Sequence, residues 1–311
     1  LRTDFQRDLK NRWRNRRRLH QQSVATPKPT AMGIYTEKFQ AHQGKVSDKW
    51  ESYLGFYDSV ISSLKIPIDS VLEIGVQNGG SLEIWAEIAP NAKAIIGVDV
   101  NPLCADLEFV DPRISVQITD GTMKTWAADV LELQHPLSLI VDDASHISRD
   151  VIANFVTLWP SLSPGGKYVI EDLATSYWST YSGGLAMRNS SMEFLKRLLD
   201  VLNFEHWENT GLAQRHLRIF GVSLSATFMS SLSEIQSIEF RNSMCVISKA
   251  STDTETGIGL RLITGSQALV DSQPVGYDKM TIAAISMKPV KSKAGSSLIH
   301  YTQNWLCRIG R

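Results

Sequence analysis

Cysteine is scarce: Cys104, Cys245 and Cys307 are the three in 311 residues. An odd number spaced so widely is neither a disulfide framework nor a zinc-ligand pattern, and it suits a reducing, cytoplasmic location. Long apolar runs are missing as well; none approaches the roughly 18 residues that a membrane-spanning helix needs. The basic N-terminus is followed by no apolar stretch of the kind a secretory signal carries. Net charge is absent, since 32 Lys and Arg balance 32 Asp and Glu. No global field therefore points to nucleic acid or to a membrane surface. No internal repeat is visible, and the chain opens on Leu1 rather than Met, as a piece of a longer protein would.

What is present reads as a globular chain, with 43% hydrophobic and 21% charged residues. Basic residues crowd the start, where Arg2, Arg7, Lys10, Arg12, Arg14, Arg16, Arg17 and Arg18 face only Asp4 and Asp8. Leu1, Phe5, Leu9 and Trp13 recur every four residues there, the spacing of an amphipathic helix that packs on its own domain or on a partner copy, with binding to an anionic surface or nucleic acid as the alternative. Gln21 to Pro29 reads as a linker. The expected organisation is a basic N-terminal segment and linker over 1–31, a helical lead-in over 32–66, a main domain over 67–250 and an extension over 251–311. Residues 47–65 have helical spacing, with Trp50, Tyr53, Leu54, Tyr57, Val60 and Ile61 on one side.

From Ser70 the rhythm changes. Val71–Gly75, Ala94–Asp99, Ile114–Ile118, Leu137–Asp142 and Lys167–Glu171 are short apolar runs, most of them ending in an acid or a glycine. Helical stretches such as Ser81–Ala89 and Asp150–Trp159 separate most of them, which predicts an α/β fold: a mainly parallel sheet with helices on both faces. Ser163 to Gly166 reads as a turn before the fifth strand. Ser191–Val201 reads as a helix, and Ile235–Phe240 with Met244–Lys249 as a closing antiparallel hairpin.

The first strand runs into a glycine turn, Glu73-Ile74-Gly75-Val76-Gln77-Asn78-Gly79-Gly80-Ser81. Glycine lets backbone approach a ligand closely, and the helix start beyond it presents free N–H groups. Dinucleotide enzymes use GxGxxG here. This chain has GxxxGG, which instead resembles the ExGxxxG turn of S-adenosyl-L-methionine (SAM) methyltransferases. Glu73, Gly75, Gly79, Gly80 and Ser81 are the expected cofactor residues. Asp99, ending the second strand, is placed to accept ribose hydroxyls, and Asp120 follows the third strand where such enzymes contact adenine.

The fourth strand ends Asp142-Asp143-Ala144-Ser145-His146, and the fifth ends Glu171-Asp172. Two acid pairs and a histidine over one crevice repel unless a cation joins them, and oxygen ligands favour Mg²⁺ or Mn²⁺. The plainer alternative is that the acids cap the following helices. DDASH followed by YVIEDLATSYW resembles the metal-dependent sugar O-methyltransferases of macrolide and related natural-product pathways. The resemblance runs through residues 71–178, with weaker extensions to Ser47-Asp48-Lys49 and to the Ile235–Lys249 hairpin, and Ala144 stands where the family usually has Gly. It implies a Rossmann-like fold, SAM and Mg²⁺ as cofactors, and a glycoside or glycan acceptor. It implies Asp143, Glu171 and Asp172 as metal ligands, with Asp143 also bordering the cofactor, and His146 as general base. Tyr177, Trp178 and Tyr181 would form an apolar wall for the acceptor. Members of such families often form homo-oligomers. Two alternatives are an oxygenase like the proteins named cephalosporin hydroxylases and a non-catalytic SAM-binding module of a multidomain glycan-modifying protein. The first needs two histidines and one carboxylate, and only His146 lies in the cluster. The intact acid and histidine set argues against the second.

Overall fold

A computed structural model describes residues 32–119, 136–207, 213–254 and 256–259. The amphipathic N-terminal segment, the linker, Asp120 and nearly all of the C-terminal extension lie outside the described residues. Two helices, α1 (Ile34–Ala41) and α2 (Glu51–Ser62), lead into β1 (Ser70–Ile74), α3 (Gly80–Ile88), β2 (Ala94–Asp99) and β3 (Ile114–Ile118). After them come β4 (Leu137–Asp142), α4 (Ser148–Leu158), β5 (Leu162–Ile170), α5 (Ser191–Leu202), α6 (Ala213–Arg218) and α7 (Ala226–Ser231). The hairpin β6 (Ile235–Arg241) and β7 (Met244–Lys249) closes the sheet.

The sheet has seven strands in the order β3-β2-β1-β4-β5-β7-β6. The first five strands in the chain pair in parallel, and β7 runs antiparallel to both β5 and β6. From β1 the chain winds outward through β2 and β3, then returns to lay β4 on the other side of β1. The order thus reverses between β1 and β4, and a crevice opens beyond their carboxyl ends, where ligands bind in sheets of this kind.

Both faces are covered, as the continuous apolar strands predict. Successive side chains in a strand point to opposite faces. Leu72, Ile96 and Ile140 enter one core with α4, α5 and α7, while Val71, Ile95 and Leu139 enter the other with α1, α2 and α3. In the first core the Phe155 ring lies 5.2 to 6.0 Å from those of Trp159, Tyr168, Phe194 and Phe228. In the second, Tyr35 stacks on Tyr57 at 4.4 Å with Trp85 at 5.1 Å from it. The lead-in helices therefore share a core with the sheet. No helix among the described residues is long and apolar enough to cross a membrane.

Two expectations need correction. Helix α2 starts at Glu51, and Trp50 is extended at its N-cap, so the helical spacing from 47 to 50 did not produce helix. Nor is Ser163 to Gly166 a turn before β5, because the strand already begins at Leu162. Gly165 takes φ +82 and its N–H donates to the Ala250 carbonyl at 3.0 Å. A glycine absorbs that backbone without ending the strand. The hairpin forms as expected. Its Ser243, at φ +70, accepts Leu173 N–H on its carbonyl at 2.8 Å and Ala174 N–H on its Oγ at 3.0 Å. That clamps the segment just past Glu171-Asp172.

Asp142 ends β4 with its side chain turned inward, 2% exposed. Asn154 Nδ2 donates to both its oxygens at 3.2 Å, yet burial raises its pKa from 3.8 to about 7. An acid whose pKa is raised on folding keeps a proton that the unfolded chain releases. Stability therefore falls by about 1.4 kcal/mol for each pH unit crossed between the two pKa values, and the loss levels off above the higher one. Asp142→Asn carries no charge, and Asn154 Oδ1, which has no partner, offers its amide an acceptor. The variant's melting temperature should therefore exceed wild type by more at about pH 8 than at about pH 5. Thermal denaturation across that range checks this, and a difference that does not change with pH rejects it.

Candidate cofactor and metal site

Backbone geometry makes the crevice. Gly75 has φ +97, and a Cβ there would lie 2.1 Å from the carbonyl oxygen of Asp143, so only glycine lets the β1 turn pass the end of β4. Gly79, at φ +81, caps α3 in the left-handed conformation. Gly80 lies against the backbone of Lys45 and Val46, where a Cβ would be 2.2 Å from the Lys45 carbonyl. Asp99 accepts the N–H groups of Val76 at 2.8 Å and Gln77 at 3.1 Å on one oxygen, and that of Asn101 at 2.8 Å on the other. Burial alone would raise its pKa, but those backbone donors outweigh it and hold the carboxyl below its usual range. Asp99 thus fastens the glycine turn as well as facing the crevice.

A cavity of ≈ 600 Å³ fills the crevice and brings together Gly75, Ser81, Asp99, Asp143, His146 and Asp172. Ser47 also lines it, and its buried Oγ has no hydrogen-bond partner. A cavity of that size, floored by glycine and ended by an ionised acid, with an orphaned hydroxyl in its wall, fits a nucleoside cofactor that carries no phosphate. Gly79 and Gly80 shape the turn from behind rather than lining the cavity. Tyr177 and Trp178 are exposed, at 45% and 54%, and the rings of Trp178 and Tyr181 lie 5.9 Å apart outside the cavity wall.

Of the four acids at the two strand ends, two face the cavity and two face inward. One ligand atom each of Asp143, His146 and Asp172 lies within 4.8 Å of the others. His146 Nε2 is 3.9 Å from Asp143 Oδ1 and 3.7 Å from Asp172 Oδ2. His146 and Asp172 both hold left-handed backbone, at φ 56 and φ 50. Such strain persists where surrounding structure enforces it, and it gathers at functional sites. The second oxygen of Asp172 accepts Tyr53 Oη at 2.7 Å and Trp50 Nε1 at 3.1 Å. Two carboxylates offer oxygen donors to a hard divalent cation, with the His146 imidazole beside them, and the group lacks the two-histidine set of an iron oxygenase.

Glu171 is not brought into that group. It is 2% exposed, accepts the Tyr57 hydroxyl and lies 2.8 Å from Lys49 Nζ. Burial raises its pKa to about 8, Lys49 opposes the rise and Asp143 adds to it. Glu73 sits beneath the cavity, 1% exposed, with its Oε2 unpartnered, and burial raises its pKa to about 7 against the pull of Lys49. The Lys49 side chain, 4% exposed, reaches Asp143 at 2.5 Å, Glu171 at 2.8 Å and Glu73 at 3.9 Å. Burial would lower its pKa, but the three carboxylates overcome this and raise it well above the usual lysine value. Sequence reasoning missed Lys49, Trp50, Tyr53 and Tyr57 as site residues. The available signal was three aromatic polar groups on a face read as core, directly after Asp48-Lys49.

Residues 72–173 match the family described as a methyltransferase domain. Among curated proteins the chain is 35% identical over 167 residues to the 8-demethyl-8-alpha-L-rhamnosyl tetracenomycin-C 2'-O-methyltransferase of Streptomyces olivaceus, covering 50% of this chain and 43% of that protein. It is 33% identical over 146 residues to the mycinamicin VI 2''-O-methyltransferase of Micromonospora griseorubida, covering 43% and 35%. The chain thus spans less than half the length of these relatives. Among solved structures it shares its fold with a methyltransferase from the mycinamycin biosynthetic pathway in complex with Mg and SAH, with a TM-score of 0.54, 24% identity and coverage of 75% of this chain and 58% of that one.

The glycine geometry yields a paired test. Gly75→Ala should destabilise the fold by about 1–3 kcal/mol or more, through positive φ and the contact with Asp143. Gly55→Ala, in α2 with nothing within 4 Å of its Cβ position, should be neutral or stabilise by about 0.5–1 kcal/mol. Denaturant unfolding of both variants checks this; equal effects would contradict the close approach at Gly75.

Proposed function

We propose that the chain is a SAM- and Mg²⁺-dependent O-methyltransferase acting on a sugar hydroxyl of a glycosylated natural product or glycan. The observation that carries this reading is the convergence of Asp143, His146 and Asp172 in one cavity with the Gly75 turn and Asp99. The reading gains support from the relatives, whose names describe methylation of hydroxyls on rhamnosyl tetracenomycin and on mycinamicin. Asp143 and Asp172 would hold the cation, and Glu171 is a ligand by resemblance only. When bound, a divalent ion supplies Lewis acidity to an acceptor hydroxyl.

The remaining work falls to the chain. His146 Nε2 would take the proton of the acceptor hydroxyl, and SAM bound in the cavity would supply the methyl group that replaces it. Asp99 and the Gly75 turn hold the donor, and holding the partners in line supplies much of the rate. Trp50 and Tyr53 fix the orientation of Asp172. Tyr177, Trp178 and Tyr181 form the apolar wall for the acceptor.

Calorimetry should find SAM and S-adenosylhomocysteine bound in preference to NAD, and Asp99→Ala should weaken SAM binding by about 1.5–3 kcal/mol. Tighter binding of NAD would reject the cofactor assignment. On glycoside acceptors, excess chelator should abolish turnover and Mg²⁺ should restore it. His146→Ala should lower kcat on the order of 10²–10⁴-fold with SAM affinity unchanged. A folded variant that keeps more than about a tenth of wild-type kcat would remove His146 from the mechanism.

A further inference from the structure

Lys49 lies where the cavity meets the buried acids. Its side chain is 4% exposed, and it contacts Asp143, one of the two carboxylates that would hold the cation, through Oδ2, while Asp143 Oδ1 faces His146. Its other partners, Glu171 and Glu73, lie below that group and away from solvent. A buried cation with three carboxylate partners is not needed to fill an apolar core; hydrocarbon of the same volume does that at lower desolvation cost.

We propose that Lys49 is a tethered cation that competes with the divalent ion for Asp143 and so lowers the site's affinity for that ion. This rests on the metal reading above. Two positive charges on one carboxylate repel strongly where solvent is excluded. Lys49 is thus a positioning residue that sets how tightly the site holds its ion. Because Lys49 follows Ser47, which borders the cavity, and precedes α2, the lead-in segment carries this control into the sheet's crevice.

The sign of the effect separates this role from a merely structural one. A structural lysine, once removed, leaves a looser site that binds cations more weakly. A competing cation, once removed, leaves a site that binds them more tightly. Mn²⁺ is the probe, titrated into metal-free protein without SAM or acceptor, with free Mn²⁺ counted by electron paramagnetic resonance. Lys49→Met should bind Mn²⁺ at least about tenfold more tightly than wild type. If Lys49→Met does not fold, because its carboxylates lose their counter-ion, the comparison moves to Glu73→Gln against Lys49→Met/Glu73→Gln, and the double variant should again bind more tightly. Binding to wild type with equal or weaker binding by the folded Lys49 variant overturns this inference alone. No binding by any of these proteins overturns the metal reading and this inference with it.

Discussion

Carboxylates at the ends of neighbouring parallel strands repel one another, and much of the structure around this site answers that repulsion. Glu73, Asp142, Asp143, Glu171 and Asp172 all come from the ends of β1, β4 and β5 or the residue or two beyond. Water screens few of them, since Glu73, Asp142 and Glu171 are 1–2% exposed. The protein answers in three ways. Lys49 places one positive charge among three of them. The hydroxyls of Tyr53, Tyr57 and Tyr168 donate to Asp172, Glu171 and Asp142 respectively, and the amide of Asn154 donates to Asp142 as well. Burial keeps some of them protonated at higher pH than usual. Charge, donor and proton are alternative answers to the same electrostatic requirement.

That division explains the pattern within each acid pair. In Asp142-Asp143 and Glu171-Asp172 the first residue continues the strand direction inward and the second faces the cavity. Asp172 reaches its position by adopting left-handed backbone, and His146 does the same after β4. The hairpin turn at Ser243 holds the backbone beyond Asp172 from the other side. Strain in the loops and support from the hairpin therefore work on the same few atoms.

The lead-in segment is part of this arrangement rather than an appendage. Its helix α2 supplies Tyr53 and Tyr57, the residue before it is Trp50, and Lys49 comes next in line toward the cavity. Tyr35 of α1 packs on Tyr57 and Trp85 and so ties that segment to α3. The family match begins at residue 72, yet four of the side chains that order the acids precede it.

Periodicity made the sheet and its flanking helices legible. Continuous apolar runs separated by helical stretches admit few arrangements, and the acid or glycine closing most of the runs marked the edge where ligands bind. Gly75, Asp99, Asp143, His146 and Asp172 were readable for that reason, because strand direction alone brings them to one edge. The sequence did not determine which acid of a pair would face the cavity, since side-chain direction just past a strand depends on loop backbone such as φ 50 at Asp172. Nor did it reveal Lys49, which stands 94 positions from Asp143 and 122 from Glu171. Local pattern specifies period and exposure, whereas the pairing of a buried cation with distant carboxylates exists only after the two segments pack, and tertiary structure alone decides it.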